Sequence, residues 1–153
     1  MFAALGYHRI VAPTDLTTQV SITIDAPQED VWRALTTPDQ IKEWFFGVDT
    51  ETDWVPGHPI VHRGEYQGVG YEDRGTILRV IEGELLAHTH WSSVSGLADE
   101  PENYQEVTYA LAGSPGRTEL TVTEVNLPSD DAKGVSEKAW MGALSSLKGM
   151  LEA

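Results

Sequence analysis

A run of short alternating segments ending in one long helix is what most constrains the fold of this sequence. Between Val48 and Val125, six stretches carry the alternation expected of half-buried strands: Val48–Asp53, Pro59–Tyr66, Tyr71–Ile81, Leu85–Ser92, Asn103–Ala112 and Thr118–Val125. Gly57, Gly68-Val69-Gly70, Gly83 and Gly113-Ser114-Pro115-Gly116 fall between them as turn material. This spacing predicts an antiparallel meander, with a longer acidic loop over Val94–Glu102. From Ser129 the pattern becomes helical. Ser129, Asp130 and Asp131 suit a helix N-terminus, and Val135, Ala139, Met141, Leu144, Leu147 and Leu151 approximate an apolar stripe that Trp140 widens. A curved antiparallel sheet has one apolar face, and a long amphipathic helix can cover it. A gap between the two is the default ligand site. The small residues Gly142, Ala143 and Ser146 are expected to leave room there.

Ahead of the meander, Val20, Ile22 and Ile24 alternate with polar residues over Gln19–Asp25, a further strand. Ala26-Pro27 breaks it. A helix is expected next, capped by Asp25, with Pro27 in its first turn and Glu29 and Asp30 at the positive end of its dipole. Thr37-Pro38 ends this helix. Asp39–Phe45 reads as a second short helix with Ile41, Trp44 and Phe45 on one side. Residues 1–18 are expected to be a tail or edge segment, and residues 19–153 a single α+β domain. No internal repeat is present.

The 153 residues carry 24 acids against 10 bases, a net charge of −14. Such a chain repels phosphate backbones and anionic membrane surfaces, so nucleic acid is not an expected partner. There is no cysteine, which removes disulfides, thiolate nucleophiles and Cys-ligated metals together. No apolar run is long enough to span a bilayer, and the N-terminus lacks the basic region of a signal peptide. A cytoplasmic location fits these features.

Four stretches together resemble the Activator of Hsp90 ATPase 1-like branch of the START/Bet v 1-like (SRPBCC) superfamily. The opening I-T-I-D-A-P-Q-E-D-V-W-R-A-L-T-T-P-D-Q-I-K-E-W-F is similar to that family's entry signature, an apolar strand leading into A-P-x-x-x-V-W-x-A-L and T-x-P-x-x-x-x-x-W. R-G-T-I-L-R-V-I-E-G-E-L-L-A-H-T-H-W, T-E-L-T-V-T and W-M-G-A-L-S-S-L follow in the family's order, so the similarity covers about residues 19 to 152. The resemblance implies the helix-grip fold: a curved antiparallel sheet wrapped around a C-terminal helix, with an internal cavity. It implies no particular reaction and no cofactor, because the superfamily spans lipid carriers, hormone receptors, cyclases and co-chaperone domains. Eukaryotic Hsp90 activators carry a separate N-terminal domain for which these 153 residues leave no room, so Hsp90 is not an expected partner.

One departure from the family pattern concerns the site. Where relatives commonly read L-x-Y-x-W, this sequence has Leu86, His88 and His90, two residues apart and therefore on one face of a strand. Such a pair can line a semi-polar pocket, move protons, or bind zinc if a third ligand such as His62 converges; the pocket-lining role without a metal is the expectation. Trp44, Phe45, Trp140 and Leu144 are expected to supply apolar wall, and Tyr66 and Tyr109 phenol contacts. The implied ligand is a small apolar or amphipathic molecule. A cyclase-, aromatase- or hydrolase-type enzyme using pocket histidines, and a co-chaperone-like interaction module, are the alternatives. Gly68-x-Gly70 lies between strands with no helix after it and is a turn, not a nucleotide loop.

Overall fold

The computed structural model describes residues 14–153. The expectation for residues 1–18 lies outside them as far as Pro13. Thr17 and Thr18 belong to the first strand.

Strand β1 (Thr17–Ile24) leads into helices α1 (Gln28–Thr36) and α2 (Pro38–Trp44). Strands β2 (Asp49–Glu51), β3 (Pro59–Tyr66), β4 (Val69–Ile81), β5 (Leu85–Ser92), β6 (Gln105–Ser114) and β7 (Arg117–Val125) follow, and α3 (Asp130–Glu152) closes the chain. The strands form one antiparallel sheet in the order β1-β7-β6-β5-β4-β3-β2. The meander is thus as expected, with β1 returning to pair with β7. A short 3-10 turn at Pro101–Asn103 lies in the acidic loop.

Local chemistry fixes the ends of the helices. Pro38 stands in the first turn of α2, where its missing N–H costs nothing. Ser129 Oγ accepts from Ala132 N at 3.1 Å and caps α3. Asp25 does not cap α1: the N-cap is Pro27, with no side-chain bond. The Asp25 carboxylate instead accepts from Arg117 Nε at 3.1 Å, and its backbone N–H donates to Glu152 at 2.7 Å, tying both ends of the domain together.

The concave face is built from in-phase residues: Ile60 and His62, Ile77, Leu86 and His88, Val107, Tyr109 and Leu111, and Leu120, Val122 and Glu124. Helix α3 crosses this face through Trp140, Ala143, Leu144 and Leu147, all buried. That stripe is rotated from the expected one, because Val135 and Met141 are exposed. Gly142 and Ser146 also face outward and leave no internal space. Between β4 and β5 the register shifts at Ile77/Arg79, a bulge that bends the sheet. Two residues earlier the strands meet closely, and a Cβ at Gly75 would overlap the Thr89 carbonyl.

Candidate functional site

A cavity of about 420 Å³ lies between the sheet and the N-terminal half of α3. The helix contributes the small side chains of Ala132, Ser136 and Ala139, all ahead of the core-filling Trp140. This is the physical origin of the cavity: beyond Trp140 the inward residues Ala143, Leu144 and Leu147 pack the concave face, whereas before it α3 turns mostly small side chains to the cavity. Phe45 and Phe46, from the turn after α2, form the adjoining wall. Phe46 and Val135 are 62% and 68% exposed, and they make an apolar rim at the opening. Phe46 holds φ 55°, in the left-handed region, and Gly47 after it continues at φ 73°. The backbone reversal at the end of α2 therefore presents Phe46 at the mouth.

Aromatic rings line much of the interior. Phe45 stacks on Trp140, with centroids 5.5 Å apart, and Tyr109 meets Trp140 edge-on at 5.7 Å. His88 stacks on Tyr109 at 6.1 Å, and His62 lies 6.2 Å from His88.

The polar groups gather on one side. His90 Nε2–H donates to Asp73 Oδ2 at 2.9 Å. Its other nitrogen lies 4.0 Å from Glu124 Oε2, too far for a hydrogen bond. Glu124 Oε1 accepts from Ser136 Oγ at 2.6 Å and from Trp140 Nε1 at 3.1 Å, fastening α3 to β7. His88 Nδ1–H donates to the Thr89 carbonyl at 2.8 Å, which leaves Nε2 as an acceptor. His62 Nδ1 shares a hydrogen bond with Thr50 Oγ1 at 2.9 Å.

The histidines fall into two electrostatic classes. Burial pushes His62 down to about 3, helped by the nearby charges of His88 and His90. Burial likewise pushes His88 down to about 4. Both are neutral at pH 7. Burial opposes the charging of His90 too, but there the hydrogen bond and charge of Asp73 and the charge of Glu124 outweigh it, so its pKa is raised. Burial would raise Asp73, yet its bond to His90 and the charge of that ring hold it below the usual carboxylate value. His90 and Asp73 thus form a half-buried pair in the wall of the cavity. Ser92 and Gln105 flank the pair and add to these shifts. Neither satisfies Asp73 Oδ1 or His90 Nδ1, which are buried without a hydrogen-bond partner among the described residues.

Of the residues expected at the site, Phe45, His62, His88, His90, Tyr109 and Trp140 line the cavity together. Trp44 does not. It is buried in the core beneath Phe45, its indole N–H donating to the Ala34 carbonyl at 2.8 Å. Leu144 is fully buried where α3 packs on the sheet, past the cavity. Tyr66 shares the phase of Ile60 and His62 but stands at the far end of β3, beside the β3–β4 turn, where it is 69% exposed. Asp73 and Glu124 were not anticipated. Both sit in phase with inward-facing residues of their strands, Ile77 on β4 and Leu120 and Val122 on β7, and that phase is the signal that marks them. Among the described residues no three His, Asp or Glu side chains are placed to hold a metal ion.

A curved antiparallel sheet gripping a C-terminal helix over a one-sided polar cavity defines the helix-grip class. Within that class, the chain belongs to the Activator of Hsp90 ATPase homolog 1-like family, whose model matches residues 25–152. It is similar to the solution structure of ChR145 from Cytophaga hutchinsonii, at 40% identity over 90% of this chain and 94% of that one, with a TM-score of 0.77. The Aha1 dimer from Colwellia psychrerythraea shares the fold at 23% identity over 89% of this chain and 96% of that one, TM-score 0.71. DynU16, a protein of the dynemicin biosynthetic locus, does so at 20% identity over 92% of this chain and 48% of that one, TM-score 0.75. No curated protein matches the sequence. No helix among the described residues is long and apolar enough to cross a membrane.

Proposed function

We propose that this protein binds one small, largely apolar molecule with a polar end, inserted between β-sheet and α3. The observation carrying this reading is the cavity of about 420 Å³, lined by aromatic rings and by a polar group of His88, His90, Asp73 and Glu124. Its volume lies at the lower end of the roughly 300–1,000 Å³ typical of ligand sites. That size suits a one- or two-ring molecule better than a two-chain lipid. Binding is favoured over proton-transfer catalysis by the histidines themselves. His62 and His88, pushed down to about 3 and 4, are weak bases at pH 7. His90 is bonded to Asp73, whose hydrogen bond and charge favour its protonated form and raise its pKa.

The test uses the neutral fluorescent probe N-phenyl-1-naphthylamine. Saturable one-to-one binding to the native protein, with a rise in melting temperature, is expected, since a ligand of the folded state alone stabilises it by mass action. Absence of saturable binding by this and other neutral aromatic probes would sink the reading.

A further inference from the structure

Resting on that reading, we infer that the polar end of the ligand is a cation, an amine or amidine, rather than a carboxylate, phosphate or sulfonate. Among the described residues no lysine or arginine lines the cavity. Among the described residues its carboxylates are Asp73 and Glu124, and the group drawn towards a balancing positive charge is His90, bonded to Asp73. At least one negative charge is left over. Glu124 Oε1 is already occupied by Ser136 and Trp140, while Oε2 has only the 4.0 Å approach of His90. The other polar atoms repeat the bias. His88 Nε2 is an acceptor because Nδ1–H is committed to Thr89, and Asp73 Oδ1, also without a partner among the described residues, adds negative potential from behind the cavity wall. The hydroxyls of Tyr71 and Tyr109, each able to donate or accept, stand against them, while His90 Nδ1–H is closed off from the cavity. An anionic head would bring further acceptors and a second negative charge beside Glu124. A cationic head brings donors to an acceptor-rich wall.

The apolar walls agree with this assignment. Phe45, Phe46, Tyr109 and Trp140 offer aromatic faces and edges, and an aromatic face attracts a cation that has been taken out of water. The net charge of −14 acts in the same direction outside the cavity, drawing cations towards the opening and repelling anions.

The experiment compares three molecules with one aromatic body and different heads: 2-(aminomethyl)naphthalene, 2-naphthalenemethanol and 2-naphthoic acid. Affinities are measured by calorimetry at physiological salt, where long-range surface attraction is largely screened. The expected order is amine, alcohol, acid, with about tenfold or more between first and last. Any other order, or a smaller spread, overturns the inference while leaving the cavity reading intact. If none of the three binds and N-phenyl-1-naphthylamine also fails, the cavity reading itself is lost. Glu124→Gln, which keeps an acceptor for Ser136 and Trp140, separates the site from the surface. It should weaken the amine about tenfold and leave the alcohol within about threefold. An unchanged amine preference in a folded Glu124→Gln protein places the selectivity on the outer surface and overturns the inference.

Discussion

Phe45 and Trp140 lie nearly parallel, 5.5 Å apart at an interplanar angle of 21°, although one ends a short helix and the other sits midway along α3. The stack joins the two helical parts of the fold across the cavity wall. Trp140 also meets Tyr109 and donates to Glu124. Trp140→Ala should therefore destabilise the protein by about 3–5 kcal/mol. Trp140→Phe keeps a ring and loses one hydrogen bond, which should cost about 1 kcal/mol. Urea denaturation of both variants checks the ordering, and equal losses would contradict it.

Cavity-filling should discriminate between two alanines four residues apart. Ala139 lines the cavity, whereas Ala143 is fully buried in packed core. Ala139→Trp should block probe binding with little change in melting temperature. Ala143→Trp has no space to enter and should destabilise by about 1–3 kcal/mol or more. Probe titration and thermal melts together read both effects.

Acid should weaken the fold through two buried histidines. The folded-state values of His62 and His88, about 3 and about 4, lie below the ordinary 6.5. Below pH 6.5 the unfolded chain takes up protons that the native sites refuse. Stability is therefore full above that pH and falls as pH drops towards 4 and then 3. His90 behaves oppositely: its raised value gives stability that is full below pH 6.5 and is lost as pH rises through its folded value. Between pH 6 and 4.5, His88→Leu should lessen the decline by about 1 kcal/mol per pH unit. Urea midpoints measured across that range test it, and parallel wild-type and variant curves would refute it.

Asn126 stands at φ 71° and its side-chain amide donates to the carbonyls of Glu102 and Tyr104, both at 3.0 Å. It anchors the acidic loop to the end of β7. Asn126→Ala loses these bonds and leaves in the left-handed region a residue without the polar side chain by which asparagine tolerates it, for a cost of about 2–4 kcal/mol. Asn126→Gly loses the bonds but tolerates the backbone, so it should be the more stable variant by about 1 kcal/mol. Thermal melts giving the reverse order would count against this account.

The sequence was most legible where one face of a strand is apolar and the other wet. Strands β3 and β5 have the bounds that their alternation predicts, Pro59–Tyr66 and Leu85–Ser92. Helix α3 was legible in extent but not in phase. A stripe through Val135 and Met141 is as apolar as one through Trp140 and Ala143, and only the sheet decides between them. Its N-terminal half faces a cavity rather than packed side chains, so the usual signal of large inward residues is missing there. His88 and His90 were found because they stand on one strand face where the family pattern has aromatic rings. Their carboxylate partners were not, because Asp73 and Glu124 come from strands far apart in sequence, and only the folded sheet shows that they converge on His90.

The glycine at position 75 sets a limit on how this pocket can be re-engineered. It stands two residues after Asp73 on β4, packed against the carbonyl of Thr89, which lies between His88 and His90 on β5. Any side chain there must push the two strands apart. The first casualty would be the 2.9 Å bond between His90 and Asp73, although residue 75 itself does not line the cavity. In a mutational scan, position 75 would score like a ligand contact. Its role is closer to that of a hinge pin, which touches nothing that passes through the door but decides whether the door hangs true.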